Sequence, residues 1–397
     1  MAIIKIVFAD FKDCAEKFDS KASIAFVANK TDVWVKTGSR DKSLCYKEDI
    51  TSISGFTDEI EKVSFCLEHK AIKECLEARI SGTGISNQIT MLVDTEHSEV
   101  KFEIMHTLTT PATDKTPEKT EVLGTSRRGA YKMQTGVAPT HTMELDTCIT
   151  DEIREANKDN ITVVSCSTLA DTLGKLGVVK LPVFITACEE GEGTSKAFVS
   201  DNLFGEMPIT PFKRGVRISY DLVAPISRLL IKDGGNAECL ARFDDKDKKI
   251  RVLSIQTASF FVSGVVEKVS AKSLNVLNLA EVTKLDYDKF KFSCCKILLT
   301  NITKSAQTVK ITPNGALQIG DDTLMLKDFV KEGEVGDHIF ALMQKGVRID
   351  FTQFAKMLSA ESGDVRFAIG EIQQNGGTML VVRVLGTPSW YLPAKSV

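Results

Sequence analysis

Val216-Arg217-Ile218-Ser219-Tyr220-Asp221-Leu222-Val223-Ala224-Pro225-Ile226-Ser227-Arg228-Leu229-Leu230 begins as an alternating strand and runs into an amphipathic helix. Ile226, Leu229 and Leu230 recur at i, i+3 and i+4, the spacing of one helical face. The same passage occurs twice more. Val63-Ser64-Phe65 leads into Ile72, Cys75 and Leu76, and Val347-Arg348-Ile349 leads into Phe354, Met357 and Leu358. Three weaker copies begin near Ile6-Val7-Phe8, Val163-Val164-Ser165 and Phe290-Lys291-Phe292. Strand-like runs separated by turn residues follow each helix. Self-similarity on this scale is a fold-level signal, weighed before any local motif.

Weak and strong copies alternate, so the chain reads as three domains of two half-units each, spanning 1–137, 158–265 and 283–397. Each half-unit is a strand, a helix and about three further strands. One helix cannot cover two layers of sheet, so two halves must pair. The result is an α+β domain with its helices on one side. Three such domains in series curve into an arc with an unpaired strand at each end, a liability unless another chain closes it. The polar stretch 109–128 reads as a surface loop that lengthens the first domain. Residues 137–160 and 264–282 read as connectors.

Composition narrows the class. The chain has 397 residues, 50 Lys and Arg against 53 Asp and Glu, and a net charge of −3. A protein that coats nucleic acid with its whole surface is usually basic. One that presents a single lined surface need not be. Ten cysteines are present, with no C-x-x-C pair and no zinc spacing, which predicts buried free thiols in a reducing compartment. The N-terminus lacks a signal-peptide layout, and no apolar run approaches about 18 residues, so a cytoplasmic protein without a membrane span is expected. The histidines at 69, 97, 106, 141 and 338 lie in no catalytic frame. Gly191-Glu192-Gly193-Thr194-Ser195-Lys196 lacks the residue order of a phosphate loop and reads as a hairpin turn. No enzyme, cofactor or metal is expected.

This organisation resembles the bacterial-type DNA sliding clamp, the ring-shaped polymerase processivity factor. The likeness covers essentially the whole chain, as pattern and order rather than identity. Ser200-Asp201-Asn202-Leu203-Phe204 followed by Met207-Pro208-Ile209 is similar to the family's threonine-aspartate-glycine turn and its later Met-Pro-Ile. Val347-Arg348-Ile349 through Val365-Arg366-Phe367 is similar to its closing half-domain, and Trp390-Tyr391-Leu392-Pro393 stands where the family has a short apolar C-terminal tail. Asn202 replaces the usual glycine, and the histidine-arginine pair after it is missing. The tail runs on through Ala394-Lys395-Ser396-Val397. Such divergence would suit a phage-encoded clamp.

The resemblance implies three tandem DNA-clamp domains forming half of a ring, closed as a homodimer around double-stranded DNA. It implies helices on the inner wall, with cations off their apolar stripes facing phosphate. Candidates here are Lys12, Lys17, Lys70, Lys73, Lys175, Arg228, Lys296 and Lys356. Contacts of that kind are non-specific, which suits a ring that slides. It also implies a DNA polymerase and an ATP-dependent clamp loader as partners. Their short peptides would enter a pocket built from Leu203, Phe204, Pro208, Tyr391, Leu392 and Pro393. The rival reading is a structural protein of a virion or other assembly, built from duplicated α+β units.

Overall fold

The computed structural model describes residues 3–12, 23–38, 42–112, 117–134, 149–188, 193–200, 203–243, 251–265, 267–268, 282–302, 308–360, 363–374 and 377–396. It is an α+β protein rich in sheet, 22% helix and 53% strand. Two compact units divide it: Met1–Val163 with Ile231–Val265, and Val164–Leu230 with Val266–Val397. The division falls inside the expected middle domain. The last three strands of its second half, Asn236–Phe243, Arg251–Gln256 and Phe260–Val265, are hydrogen-bonded into the first unit, and Val164–Leu230 lies in the second.

In the first unit, one antiparallel sheet runs in the order Asp49–Ser54, Ile3–Asp10, Ile85–Asp94, Glu99–Thr110, Lys119–Lys132. The alternation read from the sequence sets its faces. Ile4, Ile6 and Phe8 are buried with Ile89, Met91, Val93, Val100, Phe102 and Ile104, whereas Ile3 and Lys5 face out. The helix His69–Glu77 buries Ala71, Ile72 and Cys75. Burial pushes the Cys75 thiol up to about 12, so it behaves as a small hydrophobe. A second sheet passes from Asn236–Phe243 through Arg251–Gln256 and Phe260–Val265 to Lys42–Lys47, Val33–Gly38, Ile24–Asn29 and Lys62–Leu67. Phe260 registers with Tyr46 and Val262 with Leu44 at the join.

Most of the 109–128 stretch is strand rather than loop. Lys119–Lys132 is one continuous strand, paired along its length with Glu99–Thr110, and residues 113–116 lie outside the described residues. Its side chains are almost all exposed, so no apolar alternation marked it. Main-chain pairing with a regular neighbour, rather than burial, holds it extended.

In the second unit, strands run in the order Val216–Ile218, Val183–Ile185, Ser195–Ser200, Phe204–Ile209, Ser389–Ser396, Val347–Arg348, Thr308–Ile311, Ala316–Ile319, Asp322–Met325. Phe290–Cys295 and Gly377–Leu385 each pair with Asp364–Gln374, and Gly377–Leu385 also pairs with Ser389–Ser396. Helix Cys166–Gly177 starts at Ser165, whose Oγ accepts from the Thr168 amide. It lies close against helix Tyr220–Lys232: Ser227 Oγ donates to the Ala170 carbonyl at 3.1 Å. A Cβ at Gly177 would sit 3.0 Å from Val223, so a small residue there permits the approach.

Helices Lys296–Ile302 and Phe351–Ala360 cover the C-terminal part of the second unit, joined by a helix that the repeat did not announce, Gly333–Lys345. That helix buries only Gly336, Ile339 and Met343, a stripe too narrow to stand out in a polar segment. The core beneath leaves a void of about 20 Å³ among Phe292, Leu299, Met343, Phe354 and Phe367, wholly apolar and unsuited to a polar ligand. Among the described residues, the cysteines are free thiols, no cluster of metal-ligating side chains occurs, and no helix is long and apolar enough to cross a membrane.

Candidate nucleic-acid and partner surfaces

The helices carry most of the expected cations. Lys70 and Lys73 stand on His69–Glu77 with exposed side chains, each facing an acid one turn on: Glu74 at 3.6 Å and Glu77 at 3.8 Å. Lys175 on Cys166–Gly177 does the same with Asp171 at 2.9 Å. Such i, i+4 pairs on solvated faces are weak and open readily to a competing anion. Arg228 is exposed on Tyr220–Lys232 between buried Ser227 and Leu229. Lys296 and Lys356 are half-buried on the helices Lys296–Ile302 and Phe351–Ala360. Lys17 lies outside the described residues.

Lys12 departs from expectation. It stands two residues past the strand Ile3–Asp10, in irregular chain. Its amide donates to Glu48 Oε2 at 3.1 Å, its ammonium donates to the Lys47 carbonyl, and Asp49 lies 3.4 Å away. It is buried and ion-paired, which removes it from any phosphate-facing set.

Glu74 shows how the cationic face is held. Tyr131, on the strand Lys119–Lys132, donates its hydroxyl to Glu74 Oε2 at 2.6 Å. That bond, ahead of the nearby Lys70, holds the Glu74 carboxyl below the usual range. Burial first, and Glu74 second, push the Tyr131 phenol up.

The expected peptide pocket is reorganised. Phe204 and Tyr391, far apart in sequence, are register partners in neighbouring strands, followed by Gly205 with Trp390 and Glu206 with Ser389. Their rings stack at 5.6 Å between centroids. Yet Leu203, Phe204, Tyr391 and Leu392 are all buried, so none is an open anchor. The tail is not free either, because Ser389–Ser396 is an interior strand with partners along both edges. Alternation further divides the set. Phe204 and Tyr391 join a cluster with Phe184, Phe198 and Tyr287, while Leu392 registers with Val382 on the opposite, helix-covered face. Pro208 is exposed and Pro393 half-buried on the Phe204 and Tyr391 side.

Gly205 makes this junction possible. A Cβ there would lie 2.3 Å from the Trp390 ring. Gly205→Ala should therefore destabilise the protein by about 1–3 kcal/mol through overpacking. Thermal denaturation measures it, and an unchanged melting temperature would show that these strands do not meet as described.

Two features escaped sequence reading. One is Arg383, whose guanidinium lies over the rings of Tyr287 and Tyr391, 5.4 Å from each centroid. No periodicity marks a strand arginine that meets its register partner Tyr391 in the adjoining strand and Tyr287 from a distant segment. The other is a pair of apolar edges. Lys119–Lys132 ends the first unit's five-stranded sheet and exposes Val122 (64%) and Leu123 (49%). Asp322–Met325 ends the second unit's sheet and exposes Met325 (72%). The helix Lys296–Ile302, which contacts that strand, exposes Ile297 (72%) and Leu298 (52%). A careful helical phase would have found the last two, since Leu299 is the buried residue.

No protein-family model and no curated protein sequence matches the chain. Solved structures do. The chain is similar to the DNA polymerase III subunit beta from Borrelia burgdorferi, with a TM-score of 0.61 at 10% identity over 100% of this chain and 98% of that one. For the beta subunit from Thermotoga maritima the TM-score is 0.59 at 10% identity, over 99% and 100%. For the DNA polymerase sliding clamp from Caulobacter crescentus it is 0.55 at 9% identity, over 99% and 100%. This chain has the fold of those structures from end to end.

Proposed function

We propose, from this sliding-clamp fold, that the chain is a divergent DNA sliding clamp. Its three domains, 1–137, 158–265 and 283–397, form half of a ring that closes as a homodimer around duplex DNA. It acts by topological linkage and breaks no bond. Lys70, Lys73, Lys175, Arg228, Lys296 and Lys356 face phosphate with non-specific contacts, so the ring is retained yet slides. An ATP-dependent loader opens it, and a DNA polymerase docks beside the Phe204–Tyr391 junction, on the side of Pro208 and Pro393. The setting is the cytoplasm of a bacterial cell or of a phage-infected one.

A repeated junction supports this reading best. At two places the third strand after the helix of a first half-unit pairs antiparallel with the third strand after the helix of a second half-unit: Lys42–Lys47 with Phe260–Val265, and Phe204–Ile209 with Ser389–Ser396. One strand of each kind is left over, Asp322–Met325 and Lys119–Lys132. Both end their sheets, and both edges expose apolar side chains. A second copy satisfies both edges by the same rule, with two identical contacts and closure. Antiparallel pairing sets the acidic Asp321-Asp322 end against Arg127 and Arg128, and Met325 against Val122 and Leu123.

Negative-stain images of the purified chain at micromolar concentration should show closed rings. Once loaded on nicked circular plasmid, the protein should be lost when the plasmid is cut. Retention on the linear product would rule out encirclement.

A further inference from the structure

The sheet face that carries Phe204 and Tyr391 holds an arginine with nothing to bind. Arg383 lies in the strand Gly377–Leu385, where Val382 points to the helix-covered side and Arg383 to the other. Its Nε is buried and has no hydrogen-bond partner. Among the described residues its guanidinium makes no ion pair or hydrogen bond, only the two ring contacts with Tyr287 and Tyr391. The acids nearby are otherwise engaged. Glu206 Oε1 accepts from the Tyr391 hydroxyl at 3.2 Å, and Asp288 pairs with Lys291. Tyr287 in turn donates to the Val282 carbonyl at 2.7 Å, which fixes its ring.

We propose that Arg383 is the anchor of a carboxylate-binding site on this face, and that its ligand is the carboxylate of a docked peptide. Ring contacts on the guanidinium restrict its motion, and with Nε buried the two terminal Nη groups are the donors left to a ligand. They form a planar fork of donors, matched to a carboxylate in bidentate geometry. Because the fork is already oriented, little conformational freedom is lost on binding. DNA phosphate is the other common partner of such a fork, but Arg383 faces away from the helices that carry the phosphate-facing lysines. The proposal rests on the reading that a partner peptide docks beside the Phe204–Tyr391 junction, and it names the chemistry that peptide must bring.

The test uses the full chain with 15N-labelled arginine side chains, titrated with N-acetyl-Leu-Phe bearing a free carboxylate, with its C-terminal amide, and with inorganic phosphate. The carboxylate should shift the Arg383 Nε resonance and bind about ten-fold or more tighter than the amide, the gain expected of a charge-assisted pair. Arg383→Gln should remove that preference without lowering the melting temperature, and Arg383→Lys should restore only part of it. Equal binding of acid and amide would overturn the carboxylate role while leaving peptide docking intact. A shift with phosphate alone would overturn it in favour of a general anion site. Failure of both peptides to perturb any resonance of this face would overturn the proposal and the docking reading together.

Discussion

Ile297→Asp combined with Leu298→Asp should leave the chain a monomer of 43.6 kDa, where the proposed ring requires the unaltered chain to run at about twice that mass. Both side chains are more than half exposed on a short helix, so neither substitution enters the core. At a subunit contact each would bury an apolar side chain worth about 1.5–3 kcal/mol. Aspartate there removes that gain and adds the penalty of an unpaired buried charge. The combined loss exceeds about 3 kcal/mol, more than a hundred-fold in dimer dissociation constant. Ile231→Asp is the control, since Ile231 is 70% exposed but lies on neither edge. Light scattering across a concentration series decides the matter. A variant that still dimerises clears these residues of the contact. An unaltered chain that stays monomeric at high concentration and low salt defeats the ring itself.

Reversing Lys70, Lys73, Arg228 and Lys356 to Glu together should abolish stable association with DNA while the fold survives. None of the four is buried, and the apolar stripes beside them are untouched. Each lost phosphate contact lowers the slope of log affinity against log salt by about 0.9, so the four together lower it by about 3.6. Lys12→Glu belongs to a different class. It should destabilise the protein, since it places an acid against Glu48 and Asp49. An unchanged salt slope in the four-fold variant would take these helices off the DNA surface.

Much of this was legible from one-dimensional pattern. Ile72 and Cys75, or Phe354, Met357 and Leu358, sit on buried helix faces because 3.6-residue periodicity is a local property of the chain. The alternating runs around Ile6, Val93 and Val381 became strands for the same reason, and the six-fold repetition of the unit pointed to the clamp fold. Polar segments were harder. The strand Lys119–Lys132 and the helix Gly333–Lys345 bury too little to show a period, and both take their form from neighbours.

Sequence by itself determined the helices and strands that carry a periodic apolar face, which faces those are, and that the unit recurs. Tertiary structure alone decided which strands pair, and with that the character of every candidate partner residue. Whether Phe204 is a surface anchor or a core ring depends on Tyr391 crossing it, and whether Arg383 is stacked on both sides depends on Tyr287 reaching the Arg383–Tyr391 strand pair from far earlier in the chain. Local periodicity encodes how a segment divides water from core. Pairing and register come from long-range complementarity, as at Gly205 beneath Trp390, where the fit exists only once both strands are in place.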